Sequence, residues 1–213
     1  MDFDPRGLSV TDRYKLLIGG IVPRPIAWVS TLSPGPEPKP NLAPFSFFAG
    51  VSANPMTLLF CPANKPDGTL KDTCRNAAPA AQGGTGEFVV NIVPEALAQA
   101  MALCAEPLDY GESEWALAGL EMEPSRRVRP ARVRGSPMTF ECQTIRVEHL
   151  NPGQPAGGNL VMGEVVHVWV RDEAIDPARL HILPAALAAI GRMGGLSYCR
   201  TADRFDLPMG VSR

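Results

Sequence analysis

Two long stretches of β-forming residues in the second half of the chain place the strongest constraint on its fold. TFECQTIRVEHL covers residues 139–150, NLVMGEVVHVWV covers residues 159–170, and only the loop NPGQPAGG separates them. Two long strands joined in this way predict an antiparallel pair. In the first strand the apolar positions change phase between Cys142 and Ile145. This change predicts a bulge or bend of the kind that curls a sheet into a barrel.

Both faces of the second long strand carry apolar side chains. A period of two places Val166, Val168 and Val170 on one face, and Val165, His167 and Trp169 on the other. We therefore expect both faces to be largely covered. Three shorter apolar runs, RPIAWVST, TLLFC and EFVVNI, are each bordered by turn-rich sequence and also predict buried strands. The segment LSPGPEPKPN after the first run predicts a rigid hairpin loop.

One segment has helical periodicity. In PEALAQAMALCA, residues 94–105, Leu97, Met101 and Cys104 recur at helical spacing, and Pro94 suits a first helical turn. The 20 glycines and 22 prolines among 213 residues favour many turns and short strands. The sequence has no internal repeat, low-complexity tract or dividing linker. It therefore predicts one mainly β domain over residues 1–213, with two or three helices.

Charge and hydropathy narrow the classes of partner. The formal net charge is −2, so no strong overall field recruits nucleic acid or an anionic membrane. No apolar run approaches the roughly 18 residues of a membrane span, and MDFDPRGLSV lacks the regions of a signal peptide. We therefore expect a cytoplasmic protein with a small-molecule or protein partner. The five cysteines lack C-x-x-C spacing, which predicts mostly reduced, buried thiols.

Several familiar catalytic motifs are absent from the sequence, including the dinucleotide glycine fingerprint, the P-loop, the H-E-x-x-H zinc motif and the G-x-S-x-G elbow. His149, His167 and His181 fall in or near apolar strands without close metal-binding neighbours, and we interpret them as structural. Cys61 has no histidine near it in sequence, so we interpret it as a core residue rather than a nucleophile. No metal site is predicted.

The segment PDGTLKDTCRN, residues 66–76, combines features of an anion site. Asp72 or Thr73 is predicted to cap a helix that runs on through CRNAAPA. Free N–H groups at a helix start, the Thr73 hydroxyl and the cations Lys71 and Arg75 together suit a phosphate. A solvated helix cap is the alternative interpretation.

The segment NLAPFSFFAG, residues 41–50, mixes features of a core strand and of a binding surface. Its phenylalanines argue for a strand in a core, whereas Pro44 lacks a backbone donor, and Asn41 and Ser46 place polar groups among the aromatic rings. If Pro44 breaks the strand pairing, backbone N–H and C=O groups become free to meet a ligand.

Two other segments carry candidate ligand groups. Ser30 and Thr31 place hydroxyls where a predicted buried strand meets a loop. Near the C-terminus, RMGGLSYCR offers a forked donor in Arg192, close backbone approach at its glycines and a flat ring in Tyr198. A tight turn packed onto the barrel is the alternative for this last segment.

These segments together resemble one family. RPIAWVST, NLAPFSFF, DGTLKDTCRN, GEFVVNIV and RMGGLSY follow the order and approximate spacing found in the flavin reductase-like, FMN-binding split-barrel proteins. The motif-bearing core covers about residues 18–200. The resemblance implies a Greek-key antiparallel split β-barrel with a few peripheral helices. It also implies a homodimer with FMN bound near the subunit interface.

The same resemblance implies which residues hold the cofactor. WVST and NLAPFS line the flavin, the KDT segment meets the phosphate, and the late glycine and tyrosine region closes the pocket. The implied cofactor-binding residues are Ser30, Thr31, Asn41, Ala43, Pro44, Phe45, Ser46, Lys71, Asp72, Thr73, Arg192, Gly195 and Tyr198. Two departures from the family pattern are the proline-rich loop at residues 32–40 and the loose segment NAAPAAQGGTGEF.

The function implied by the resemblance is an FMN-dependent oxidoreductase. It would take hydride from NADH or NADPH and pass electrons to free flavin, a partner monooxygenase or another acceptor. Because the flavin carries the hydride chemistry, no acid, base or nucleophile triad is expected. Two alternatives stay open: a flavoredoxin-like electron carrier or sensor that reacts slowly with nicotinamides, and a flavin-free scaffold.

Overall fold

A large antiparallel sheet organises residues 1–207, which are the part of the chain described by the computed structural model. Residues 208–213 of the predicted domain lie outside the described residues. The strands are β1 (Ala27–Leu32), β2 (Pro40–Phe45), β3 (Phe48–Ala53), β4 (Met56–Phe60), β5 (Glu87–Asn91), β6 (Met122–Glu123), β7 (Arg132–Val133), β8 (Met138–His149), β9 (Asn159–Val170), β10 (Ile175–Asp176), β11 (His181–Ile182), β12 (Ile190–Arg192) and β13 (Tyr198–Arg200). The α-helices are α1 (Val10–Gly20), α2 (Asp72–Ala77), α3 (Ala98–Leu103), α4 (Glu114–Leu117) and α5 (Pro184–Leu187).

Seven of these strands form the sheet, in the order β2–β1–β5–β8–β9–β4–β3. Strands β2 and β3 lie at its two edges, yet only Ser46 and Phe47 separate them in the chain. Two residues are too few to cross a flat sheet of this width, so the sheet must curl until its edges approach each other. The Phe45 and Phe60 rings meet across this junction, with centroids 5.2 Å apart. The sheet is therefore a barrel that is open between β2 and β3.

The long hairpin predicted from the sequence is confirmed. Strands β8 and β9 pair antiparallel along their length, with register shifts that leave Ile145 and Val166 as extra residues. The bulge at Ile145 lies where the apolar positions change phase, as predicted. The bulge at Val166 makes one prediction wrong. Val165 pairs with Cys142, which faces the barrel interior, so Val165 does not share a face with His167.

The apolar side chains form two clusters, one on each side of the sheet. The cluster inside the barrel includes Val29, Phe60, Phe88 and Val161, and Cys74 of α2 closes it at one end. The outer cluster lies beneath α3 and α4 and consists of Ile26, Trp28, Leu42, Val93, Met101, Cys104, Trp115, Val133 and Ile190. Because β1 lies between the two clusters, it is buried along almost its whole length. This explains the continuous apolar run from which the strand was predicted.

The helices were predicted less completely than the strands. Residues 95–97 form a 3₁₀ turn before α3, and Met101 and Cys104 are buried as the helical spacing predicts. The 11-residue α1 was not predicted, although its Ser9 cap accepts a hydrogen bond from the Asp12 N–H. A serine followed three residues later by an acidic residue is a recognisable helix start. None of the helices described here has the length and hydropathy needed to cross a membrane.

The cysteines are free thiols, as predicted. Cys74, Cys104 and Cys142 are buried, whereas Cys61 and Cys199 are partly exposed. Burial raises the pKa of Cys74 to about 12. It has the same effect on Cys104, whose pKa is also about 12. These buried thiols are therefore protonated and unreactive near neutral pH.

Candidate functional site

The two hydroxyl residues of β1 face opposite sides of the sheet. Thr31 lies opposite Asn41 of β2, and its Oγ1 donates a hydrogen bond to Asn41 Oδ1 at 3.2 Å. Ser30 Oγ instead donates to the Ala131 carbonyl oxygen at 2.5 Å. Successive side chains of a strand alternate in direction, so only the Thr31 hydroxyl points to the barrel interior.

Strand β2 is an edge strand, and this position explains why it tolerates a proline. Pro44 lies opposite Trp28 in an unbroken register with β1, so the expectation that Pro44 breaks the pairing is wrong. Leu42, two residues earlier, directs its N–H away from β1 to Glu114 Oε2, at 2.9 Å. The Pro44 nitrogen faces the same open edge, where no ladder hydrogen bond is lost. The outer edge therefore offers a ligand no backbone N–H at Leu42 or Pro44, because the first is bound to Glu114 and the second does not exist.

Four buried polar side chains converge where β1, β2 and α2 meet. Asn41 Nδ2 donates to both carboxylate oxygens of Glu114, at 2.8 and 3.0 Å. Asn41 Oδ1 accepts hydrogen bonds from Thr73 Oγ1 at 2.8 Å and from Thr31 Oγ1 at 3.2 Å. None of the four residues is more than 6% exposed. The side chains of Asn41, Thr31 and Thr73, all predicted to contact the cofactor, are thus engaged with one another and with Glu114.

Two further residues extend this polar cluster and were missed by the sequence reasoning, as was Glu114. Asn76 Nδ2 donates to Thr31 Oγ1 at 3.1 Å, and the Tyr110 hydroxyl donates to Asn76 Oδ1 at 3.3 Å. Asn76 follows Thr73 at a spacing of three, so helical periodicity would have placed both on one face. Glu114 has no such local indication, because its partner Asn41 is 73 residues away.

Two lysines, Lys71 at the N-cap and Lys65 paired with Asp72, lie near the start of α2. Lys71 is the N-cap residue, so the prediction that Asp72 or Thr73 caps the helix is wrong, and no side chain caps it. The Asp72 carboxylate instead pairs with Lys65 Nζ at 3.1 Å. Partial desolvation, with a smaller contribution from the Lys65 charge, lowers the pKa of the Lys71 ammonium. An anion placed between these two lysines would relieve their repulsion.

The other end of β2 is held by Arg24, which sequence reasoning also missed as a site residue. The Arg24 Nε donates to Ser46 Oγ at 3.2 Å. Its terminal nitrogens donate to the carbonyl oxygens of Ile18, Ile21 and Met193. Because the Ser46 oxygen accepts from Arg24, the Ser46 hydroxyl proton stays available for a ligand acceptor.

The C-terminal candidate residues form a tight hairpin at this same end. In the β12–β13 pair Arg192 lies opposite Tyr198, and the Arg192 guanidinium carbon is 4.4 Å from the Tyr198 ring centroid. Arg192 Nη2 donates to the Gly195 carbonyl oxygen at 2.5 Å. Reciprocal backbone hydrogen bonds of 2.9 and 2.8 Å join Arg24 to Arg192. The hairpin is thereby held beside Ser46.

The predicted site residues therefore form two groups. One group, Ser46, Arg192, Gly195 and Tyr198, lies at the Phe45 end of β2, and the other, Thr31, Asn41, Lys71, Asp72 and Thr73, lies at the Asn41 end. Asn41 and Phe45 are four positions apart in β2, which is about 13 Å along the strand. Ala43 and Pro44, both half-buried, lie between the groups. This arrangement suits an elongated ligand with a ring at one end and a phosphate at the other.

A surface pocket adjoins the start of α2, where the residues suited to a phosphate lie. Its volume is about 430 Å³, and its lining residues are Gly68, Thr69, Leu70, Arg75, His149, Pro152 and Gly153. Leu70 and Arg75, which line the pocket, flank Lys71 in the chain, although Lys71 itself is not a lining residue. The Arg75 guanidinium stacks on the Tyr110 ring, 3.8 Å from its centroid. The pocket therefore opens beside the cationic start of α2.

Comparison with known families identifies the chain. Residues 19–193 match the model of the flavin reductase like domain. The chain belongs to the flavin reductase-like family. This match covers most of the chain and both groups of candidate residues up to Arg192. It makes the protein a member of a family of flavin-binding oxidoreductases.

Individual relatives support the assignment. An uncharacterized protein of Deinococcus radiodurans is 38% identical over 209 residues, which cover 96% of this chain and 88% of that protein. The crystal structure of nitrilotriacetate monooxygenase component B from Bacillus cereus is similar, with a TM-score of 0.87, 32% identity and coverage of 97% and 98% of the two chains. Pseudomonas fluorescens 2-nitrobenzoate 2-nitroreductase NbaA has a TM-score of 0.83, 29% identity and coverage of 100% and 99%.

These comparisons also confirm the predicted fold class. Split-barrel flavin reductases are among the solved structures that share the fold. The open, curled antiparallel sheet of this chain has the mainly β architecture that the resemblance implied. The flavin reductase-like fold thus places the two groups of candidate residues along one barrel edge.

Proposed function

We propose that the protein is an FMN-dependent oxidoreductase that takes hydride from NADH or NADPH. The observation that carries this proposal is the family match over residues 19–193. The similarity to a monooxygenase component B supports a further step, in which electrons pass to free flavin or to a partner monooxygenase. When bound, FMN supplies the hydride chemistry, while the protein supplies position and electrostatic environment.

The start of α2 fits the phosphate of FMN. Lys71 offers an ammonium on an exposed residue, and Lys65, held by Asp72, offers a second positive charge nearby. A charge-assisted hydrogen bond from an ammonium to a phosphate oxygen is among the stronger contacts that a protein makes. In this proposal Thr31, Asn41 and Thr73 shape the site from within, because their side chains are already hydrogen-bonded.

The opposite end of β2 fits the flavin ring. Ala43 and Pro44 are half-buried apolar residues at the open edge of the strand that face opposite sides of it, and Ala43 packs against the same core as Phe45. The Ser46 hydroxyl proton is free to meet a ring acceptor, since its oxygen accepts from Arg24. The hairpin of Arg192, Gly195 and Tyr198 closes this end. Ser30 is not part of this proposal, because its hydroxyl is bound to the Ala131 carbonyl oxygen on the outer side and its backbone lies in a strand that is paired on both sides.

A homodimer is part of the proposal. Val10, Tyr14, Leu17 and Ile21 recur at helical spacing along α1 and its C-cap, and each is at least 48% exposed. An exposed apolar stripe of this kind is typical of a surface that is covered by another chain. A second copy of this protein is the proposed occupant. The predicted cytoplasmic location also stays part of the proposal.

Spectroscopy of the purified protein tests the proposal directly. We expect a yellow protein whose extracted flavin is FMN, and which oxidises NADH or NADPH when FMN is added. A yellow protein that dithionite reduces, but that neither nicotinamide reduces at a useful rate, would favour the electron-carrier alternative. A colourless protein that fails to bind added FMN would refute the flavin site.

A further inference from the structure

We propose that Glu114 is a positioning residue that controls how tightly the FMN phosphate is held. The inference rests on the proposed FMN site. In this proposal Glu114 acts through Asn41 and Thr73 on the turn that carries Lys71, without contacting the cofactor.

Glu114 is a buried carboxylate with a full set of donors. It is 6% exposed, and its oxygens accept three hydrogen bonds, two from Asn41 Nδ2 and one from the Leu42 N–H. Burial raises the pKa of Glu114, while these donors favour its ionised form. A buried carboxylate is costly unless such donors satisfy it. Glu114 therefore ties α4 to the open edge of β2 at a defined position.

The Asn41 amide links Glu114 to α2. An amide has an oxygen side and a nitrogen side, so placing Nδ2 at the carboxylate turns Oδ1 towards the hydroxyls of Thr73 and Thr31. Thr73 is the second residue of α2, and Lys71 is the residue at its N-cap. The Cys74 N–H donates to the Lys71 carbonyl oxygen at 3.0 Å, which joins the cap to the helix. The position of Lys71 thus depends on a chain of contacts that begins at Glu114.

The charge of Glu114 and its positioning role act on a bound phosphate in opposite directions. The carboxylate is close enough to Lys71 to offset part of the lowering of the Lys71 pKa. By charge alone, removing the carboxylate would strengthen phosphate binding, because one repulsive interaction is lost. Loss of positioning would weaken phosphate binding, because Lys71 is no longer held in place. The sign of the change therefore separates the two effects.

The test compares FMN with riboflavin, which lacks the phosphate. Dissociation constants for both are measured by fluorescence titration on the unsubstituted protein and on Glu114→Gln. We expect FMN affinity to fall about tenfold in the variant, while riboflavin affinity changes less than about twofold. An FMN affinity that stays the same or rises relative to riboflavin would overturn the inference.

Glu141 provides a matched control. It is also a buried carboxylate, 0% exposed, and it accepts hydrogen bonds from the backbone N–H groups of Arg126 at 2.9 Å and Arg127 at 2.6 Å. These partners lie outside the contacts that link Glu114 to α2. We expect Glu141→Gln to lower stability without changing the ratio of FMN to riboflavin affinity. The same change of ratio in both variants would show a general structural effect and overturn the positioning role.

A second substitution covers the case in which Glu114→Gln does not fold. Glu114→Asp keeps the charge but shortens the side chain, so it loses reach to Asn41 and Leu42 together. We expect the same selective loss of FMN affinity, and a ratio equal to that of the unsubstituted protein would overturn the inference. An unsubstituted protein that binds neither flavin would instead refute the proposed function itself.

Discussion

Asn41 illustrates why a polar residue occurs in a segment of phenylalanines. Its amide satisfies one buried carboxylate and two buried hydroxyls at once. A hydrophobic residue in its place would remove two of the three hydrogen bonds to Glu114 and the acceptor of the Thr73 and Thr31 hydroxyls, and unsatisfied buried polar groups are costly. The polarity of this position therefore follows from the hydrogen-bonding groups of its neighbours.

Lys71 is the residue whose substitution should separate phosphate binding from ring binding. We expect Lys71→Ala to weaken FMN binding by about 10-fold to 150-fold, because one charge-assisted contact is worth about 1.5 to 3 kcal/mol. Riboflavin binding should change little. Isothermal titration of both ligands measures the difference.

Lys15→Ala serves as the control for Lys71→Ala, since Lys15 is exposed on α1 and pairs only with Asp12 among the described residues. It should leave both affinities unchanged. Equal losses for FMN and riboflavin in Lys71→Ala would show that Lys71 does not meet the phosphate.

The long β8–β9 hairpin shows how a single element shapes the barrel. Its two bulges fall on opposite strands, at Ile145 and Val166, and each shifts the side-chain alternation by one residue. Gly163 lies between them and faces the interior, where a Cβ atom would be 2.5 Å from Phe88 Cζ. The packing of this hairpin against Phe88 therefore requires a position without a side chain.

Gly163→Ala tests this packing. We expect the substitution to lower the free energy of unfolding by about 1 to 3 kcal/mol, because the added methyl group overpacks a closed core. Urea denaturation followed by fluorescence measures the change. Gly50→Ala in β3 is the matched control, since a Cβ atom at Gly50 would have no described atom within 4 Å beyond its chain neighbours. A Gly163→Ala protein as stable as the control would contradict the tight contact with Phe88.

The folded chain leaves apolar surface that its own elements do not cover. No residue of α1 is buried, and the stripe formed by Val10, Tyr14, Leu17 and Ile21 faces outwards. Strand β3 is exposed along most of its length at the sheet edge. An exposed edge and an apolar helix face are both features that association between chains removes.

Leu17→Glu tests the proposed homodimer. Light scattering coupled to size exclusion should give the unsubstituted protein twice the 22.8 kDa mass of one chain. A carboxylate in the apolar stripe should shift the protein towards the monomer, because burying an unpaired charge is unfavourable. Lys15→Glu, on the opposite side of α1, should remain dimeric. A monomeric unsubstituted protein would contradict the homodimer.

Local sequence was sufficient for strands β1, β4, β5, β8 and β9, for the long hairpin and for the bulge near Ile145, and the order of its motifs indicated the family. The strands, the hairpin and the bulge depend on side-chain alternation and turn residues within short windows, so periodicity reveals them, whereas the family was indicated by resemblance alone. The contacts around the site could not be predicted from local sequence, because they join residues far apart in the chain. Glu114 meets Asn41 across 73 residues, and Arg24 meets Met193 across 169. Alternation along β1 requires Ser30 and Thr31 to face opposite sides, but which of them faces the barrel interior depends on how the sheet closes.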